Sequence, residues 1–242
     1  MLLAAREIHK RFGALVVLEC VDFSVAAEEA VGIVGPNGAG KTTLLSILSG
    51  AQPPSSGVVA YRERDVTMLD SAARCRLGII RTHQIPRPFS GMTVFENIFV
   101  AATSGGGFDR AEAYDRVVDA LALCGMNGVA NRRAETLGLL DRKRLELARA
   151  LGANPGLLLL DEIGGGLTDG EASELVAAIQ ELRRRKMAVV WIEHIVHILL
   201  QVVERLVCMD SGRIIANGDP RAVMADPAVV EAYLGGDVHG AA

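Results

Sequence analysis

The chain has 242 residues, half of them hydrophobic, with 4% aromatics and a formal net charge of −4. That length and aliphatic content are sufficient for one large α/β core carrying a lobe, while the charge offers no basic field for nucleic acid, so DNA binding is disfavoured. The longest apolar stretch, Met187 to Val203, is interrupted by Glu193, His194 and His197, and the apolar start Met1 to Ala5 runs at once into Arg6 and Glu7; neither a membrane span nor a signal peptide is predicted.

In chain order, Val16 to Val25 and Val58 to Tyr61 read as strands, separated by turn residues such as Pro53-Pro54-Ser55-Ser56-Gly57, and predict an N-terminal β-rich layer. Between them, Ala30 to Val34 reads as a buried strand and Lys41 to Leu48 as a helix. The joint is Gly35-Pro36-Asn37-Gly38-Ala39-Gly40-Lys41-Thr42, the G-x-x-x-x-G-K-[ST] phosphate loop. Its glycines let backbone N–H groups curl around an anion, and the helix that follows points its positive end at the same place. Lys41 is expected to reach the β and γ oxygens, Thr42 to hold Mg²⁺, and Thr43 to add a phosphate contact. A strand, a bare loop and a helix in that order point to binding of a nucleoside triphosphate rather than to a chance glycine turn.

Farther on, Ser104-Gly105-Gly106-Gly107 predicts a flexible break, and Asp109 with Glu112 a capping-box start for an amphipathic helix through about Cys124. Helices follow near Arg142 to Leu151 and Glu171 to Lys186, with continuous apolar strands at Leu157 to Leu160 and Ala188 to Ile192. Such runs alternating with helices predict a parallel sheet covered on both faces. The first of these strands ends in Asp161-Glu162, where doubly wound sheets place their ligands. Asp161 is the expected Mg²⁺ partner, through water, and Glu162 the group that orients or deprotonates the attacking water. An ordinary acidic turn is the alternative, and the phosphate loop tips the balance toward function. The four cysteines, Cys20, Cys75, Cys124 and Cys208, form no C-x-x-C pair and fit a reducing compartment.

Taken together, these segments resemble the ATP-binding cassette (ABC) family over nearly the whole chain. The resemblance implies an α/β P-loop NTPase fold: a RecA-like core, an N-terminal antiparallel β subdomain, and a helical subdomain at about 88–155 inserted into a single domain, 1–242. It places Phe12, in Lys10-Arg11-Phe12-Gly13, against adenine, with a core phenylalanine as the other reading. Gln84, in Arg81-Thr82-His83-Gln84, matches the glutamine loop that senses Mg²⁺ and the transport partner. His194, in Trp191-Ile192-Glu193-His194, matches the switch histidine at the γ-phosphate; His197 reads as packing or surface. Asp169, in Gly166-Leu167-Thr168-Asp169, either contacts an opposing subunit or caps a helix.

The pattern departs at the signature. Where the family has Leu-Ser-Gly-Gly-Gln, this chain has Leu137-Gly138-Leu139-Leu140-Asp141, ahead of a matching Arg142 to Leu151 helix. Gly138 lacks the hydroxyl that would reach the ATP of a second subunit, Leu140 adds bulk, and Asp141 repels phosphate, so a weakened composite site is expected on this face. Ile163-Gly164-Gly165-Gly166 also departs, and its glycines predict a mobile connection.

Within the family the chain is most similar to the ATPase subunits of branched-chain amino acid importers, through Arg81 to Gln84, the Arg-Leu-Glu-Leu-Ala-Arg-Ala-Leu helix, and the tail Gly218-Asp219-Pro220 then Tyr233-Leu234-Gly235-Gly236. The implied protein hydrolyses ATP with Mg²⁺ on the cytoplasmic face of the membrane, bound peripherally to permease subunits and to a second ATPase, a heterodimer before a homodimer. A regulatory or catalytically weak ATP-binding partner is the alternative. A small-molecule kinase fits less well, since it should present an acceptor pocket and a lid with phosphate-clamping arginines.

Overall fold

The computed structural model describes residues 1–235, so Gly236 of the tail motif lies outside the described residues. The chain opens with strands β1 (Leu3–Phe12), β2 (Leu15–Val25) and β3 (Ala30–Val34), then helix α1 (Lys41–Leu48), β4 (Ser56–Tyr61), β5 (Arg64–Asp65), α2 (Ser71–Arg76) and β6 (Ile79–Arg81). Helices α3 (Val94–Val100), α4 (Arg110–Leu123) and α5 (Leu139–Gly152) follow, then β7 (Leu157–Asp161), α6 (Asp169–Arg184), β8 (Ala188–Ile192) and α7 (Val196–Leu199). Strands β9 (Arg205–Asp210) and β10 (Arg213–Gly218) and helices α8 (Pro220–Met224) and α9 (Pro227–Gly235) complete it.

Two sheets form. One is antiparallel, in the order β2-β1-β4-β5; the other runs β10-β9-β3-β8-β7-β6, parallel except for the β9–β10 edge. Every residue of β3, β7 and β8 is buried, and the alternation of their side chains divides them between two cores. Val34, Leu158, Leu160, Val189 and Trp191 face the core shared with α4, α5 and α6. Val31, Ile33, Leu157, Leu159, Val190 and Ile192 face α1 and the antiparallel sheet. A strand apolar on both faces gives the continuous run seen in the sequence, because neither face meets water.

Helices α3 and α4 start where a side chain, Thr93 or Asp109, caps them. Asp109 accepts from the N–H groups of Ala111 at 2.9 Å and Glu112 at 3.0 Å, with Glu112 returning the capping box, as the sequence predicts. Two boundaries differ. The segment Ala101–Gly105 continues α3 as a π-helical turn, so the predicted break at Ser104 to Gly107 begins later than its glycines indicate. Helix α5 starts at Leu139 rather than near Arg142, because Gly138 is extended (φ −69°, ψ 175°) and its carbonyl already accepts from Arg142 N–H at 3.0 Å. In α6 the N-cap is Thr168, in a capping box with Glu171; Asp169 is the first helical residue and exposed, so its reading as the cap is corrected.

One buried cation fixes the far end of α1. Arg74, fully buried, donates from Nη1 to the carbonyls of Ile47 at 2.7 Å and Leu48 at 2.9 Å, from Nη2 to Thr67 at 2.9 Å and from Nε to Leu69 at 3.0 Å. Burial pushes its pKa down to about 10, which still leaves it charged at neutral pH and opposite in sign to the helix C-terminus. Replacing it removes four hydrogen bonds at once. Arg74→Ala is expected to lower the unfolding free energy by about 3 kcal/mol, read from urea denaturation followed by circular dichroism.

Candidate active site

Strand β3 feeds directly into the phosphate loop, whose conformation only glycine can hold at two points. Gly35 has φ +141°, and a Cβ there would sit 2.0 Å from the Met209 carbonyl oxygen; Gly40 has φ +98°, with Leu18 Cδ2 at 2.7 Å. The loop is therefore bare because the protein's own β2 and β9 press on it, and the same bareness leaves its outer side open. Asn37 and Gly38 are exposed, Pro36 is half-buried and Ala39 is buried. Lys41 Nζ donates to the carbonyls of Gly35 at 2.7 Å and Pro36 at 2.9 Å. Burial holds the Lys41 ammonium below the usual lysine range, countered by Glu162, Cys208 and Asp161. A cavity of about 330 Å³ lies over the loop, lined by Asn37 to Thr43, Leu15, Val17 and Glu162.

The parallel register brings the remaining groups to the same edge. β3 pairs with β8, β8 with β7 and β7 with β6, so the residues just past their C-terminal ends stand in one row: the phosphate loop, then Glu193-His194, then Asp161-Glu162, then Arg81 to Gln84. Glu162 occupies the centre. Its Oε2 accepts from Gln84 Nε2 at 2.5 Å, and its Oε1 lies 2.7 Å from His194 Nε2, which donates as the Nε2–H tautomer. Glu162 also has φ +45°, a left-handed conformation uncommon for a residue with a side chain. Asp161 is buried behind it. Its Oδ2 takes Arg81 Nη2 at 2.6 Å, while Oδ1 is buried with no partner among the described residues.

An orphaned carboxylate oxygen on Asp161 and an exposed Thr42 hydroxyl are the kinds of donor a hard cation prefers, and among the described residues no cluster of three acidic, histidine or cysteine side chains offers a complete cage. Few protein ligands suit a metal that takes its other oxygens from phosphate and water.

Other residues singled out in the sequence lie apart from this row. Phe12 is 47% exposed, which corrects its reading as a core residue; Lys10 Nζ lies 4.9 Å from its ring centre, and its hairpin partner Leu15 lines the cavity. His197 is exposed, as its surface reading requires. Gly138, at the start of α5, has open space around a would-be Cβ. The glycines after Glu162 form hydrogen-bonded turns rather than a loose connection: Gly164 N–H donates to Glu193 Oε2 at 3.0 Å and Gly165 N–H to the Glu162 carbonyl at 3.3 Å.

Several residues that the motifs do not announce also belong here. Arg81 holds Asp161, and a cation ending an apolar strand next to a strand ending in acid is a signal for it. Glu193, buried, accepts from Gly164 N–H and from His194 N–H at 3.1 Å, so it sets the backbone of both the glutamate and histidine segments; burial pushes its carboxyl above the usual range. On α5, the buried Lys143 is held below the lysine range by burial, countered by Glu193 and Glu162. Glu146, also on α5, accepts from the N–H groups of His83 and Arg87, tying that helix to the glutamine segment. Tyr233 on α9 accepts from Gly35 N–H at 2.9 Å, a contact across the whole chain with no local signal.

A phosphate loop at the edge of a mostly parallel sheet, facing a carboxylate pair at the end of a neighbouring strand, defines a P-loop nucleotide-binding ATPase with an added antiparallel sheet and an inserted helical segment. Comparison with known proteins gives the family. The ABC transporter family model matches residues 18–164, and that of the branched-chain amino acid ATP-binding cassette transporters matches 213–239. The high-affinity branched-chain amino acid transport ATP-binding protein LivG of Salmonella typhimurium is 37% identical over 249 aligned positions, covering 97% of this chain and 98% of that one. LivG of Escherichia coli K12 is 36% identical at the same coverage. The crystal structure of the ADP conformation of an ATP-binding cassette of an ABC transporter superposes with a TM-score of 0.87 at 30% identity, over 97% of this chain and 98% of that one. The chain belongs to the ABC transporter family, as one of its ATPases.

Proposed function

We propose that the chain is the energy-coupling ATPase of an importer for branched-chain or related amino acids, acting at the cytoplasmic face of the membrane beneath permease subunits. The observation that carries the catalytic part is Glu162, held between Gln84 and His194 at the mouth of the phosphate-loop cavity. The amino-acid part is supported by the names of the relatives and by the family match at the C-terminal end. No helix among the described residues is long and apolar enough to cross a membrane, so attachment runs through partners.

In this reading the loop from Gly35 to Gly40 wraps the phosphates with its N–H groups, Lys41 neutralises the β and γ oxygens, Thr43 adds a hydroxyl, and Phe12 at the β1–β2 hairpin stacks on the base. Asp161 and Thr42 hold Mg²⁺, with Gln84 in its outer surroundings. When bound, the metal offsets charge on the phosphate oxygens. Glu162 orients a water and takes its proton as the water oxygen bonds to the γ phosphorus and the β–γ bridge breaks; His194 steadies the γ-phosphate. Each oxygen of Glu162 has one protein partner and keeps a further lone pair with which to hold a water. Gln84 sits on the exposed segment that α5 grips through Glu146, a route by which a docked permease reaches Glu162.

Two such ATPases close on two nucleotides. Gly138 at the opposing face has no hydroxyl to offer the partner's γ-phosphate, and Leu140 and Asp141 follow it, so the two sites of the pair are unequal if the second subunit carries a serine signature. A homodimer would lack the signature serine at both sites, whereas such a partner supplies it at one, and on that ground we favour a heterodimer.

Glu162→Gln is expected to reduce ATP hydrolysis in the complex reconstituted with its permease subunits by about 100-fold or more, with ATP binding kept within a few-fold. Undiminished turnover would remove Glu162 from the reaction. The double variant Gly138→Ser, Leu140→Gly is expected to raise turnover in the same complex by about tenfold, the worth of one hydrogen bond to a charged oxygen. Position 138 has room for the new side chain, and unchanged turnover would mean that this face does not limit hydrolysis.

A further inference from the structure

We propose that Arg81 is a positioning residue that locks Asp161 and Thr42 into one register, and that metal affinity depends on this lock. The proposal rests on the reading of those two residues as the metal's protein ligands. Asp161 stands at the end of β7 and Thr42 in the first turn of α1, on two elements that are not neighbours in the sheet. A metal between them needs their separation fixed to within a few tenths of an ångström.

The guanidinium of Arg81 spans that gap. Nη2 donates to Asp161 Oδ2 at 2.6 Å and Nη1 to Ser46 Oγ at 2.9 Å, with Ser49 Oγ at 3.5 Å. Ser46 lies one turn after Thr42 and its Oγ donates to the Thr42 carbonyl at 2.6 Å. The chain of contacts therefore runs from carboxylate through guanidinium and hydroxyl to the backbone of Thr42. A fork that paired with both oxygens of Asp161 would be the usual arginine–carboxylate geometry and would engage both of them. Here the fork is split, one branch to each element. Oδ2 is taken and Oδ1 is left buried and unpartnered among the described residues, the state of a ligand oriented by a neighbour that itself stays off the metal.

Burial makes the arrangement selective for arginine. The side chains of Arg81 and Asp161 are only 13% and 4% exposed, so the contacts are shielded from competing water. Lysine keeps the charge but is a compact point charge without the fixed planar fork needed to hold both branches. Position therefore separates from charge: if charge alone mattered, lysine would suffice.

The test uses the full chain with ATP and Mn²⁺ as the paramagnetic probe, free Mn²⁺ being read by electron paramagnetic resonance, alongside ATP titration in EDTA. Arg81→Met and Arg81→Lys are both expected to weaken Mn²⁺ binding to the ATP-loaded chain by about tenfold or more, with metal-free ATP affinity within about twofold of wild type. Ser46→Ala, which keeps the Arg81–Asp161 pair and cuts the link to Thr42, is expected to weaken Mn²⁺ by a few-fold. Wild-type Mn²⁺ affinity in Arg81→Lys or Ser46→Ala would overturn the positioning role, as would an equal loss of metal-free ATP binding in the arginine variants. Should Arg81→Met fail to fold by circular dichroism, Ser46→Ala decides alone. Failure of the underlying reading looks different: Asp161→Asn would then bind Mn²⁺ as wild type does.

Discussion

The parallel pairing of β3, β8, β7 and β6 is the constraint on which the site depends. Each strand is short; β3 and β8 carry no charged residue, and in β7 and β6 the only charged residue is the last. Parallel register makes the ends coincide, so four segments far apart in sequence deliver a phosphate loop, a carboxylate pair, a histidine and a glutamine to one edge. The chemistry is therefore placed by the hydrogen-bonded ladder and by the two cores that clamp the sheet, one against α1 and the antiparallel sheet, the other against α4 to α6. Shifting one strand by one residue would turn its side chains to the opposite core and move its terminal carboxylate or histidine out of the row.

Around that edge the charges hold one another. Arg81 faces Asp161, His194 and Gln84 face Glu162, and Glu193 receives backbone N–H groups from the segments after both β7 and β8. A buried charge without such partners would be costly, and here nearly every polar group of the row is partnered by another member of it. Among the described residues Asp161 Oδ1 and Arg81 Nε are buried without a partner, and of the two the carboxylate oxygen is the one whose chemistry suits a cation. Behind the row, Arg74 seals the C-terminal carbonyls of α1, the helix that follows the phosphate loop.

Much of this was legible in the sequence. The limits of β3, α1 and β8 coincide with the apolar and helical runs that predict them, because local pattern and tertiary context agree there. Glycine spacing marked the phosphate loop, and Asp109 with Glu112 marked a cap. Less legible were two helix starts and the contacts made at long range. Gly138 starts α5 early because its own carbonyl accepts from Arg142, and the Thr168–Glu171 box, although written in the sequence, is obscured by the acidic residue between them. The Gly164 to Gly166 turns gain order from Glu193, which lies on another strand. Tyr233 meets Gly35 from the end of the chain, and no window of local sequence contains that contact.

The central claim is that these segments form a single ATP site anchored on Lys41. The most direct measurement is equilibrium ATP binding by the purified chain, wild type beside Lys41→Ala, at fixed Mg²⁺. Loss of the ammonium's hydrogen bonds to phosphate predicts affinity weaker by about 10- to 100-fold in the variant. Equal affinity in the two proteins would contradict the account, since it would place the nucleotide somewhere other than the loop between β3 and α1.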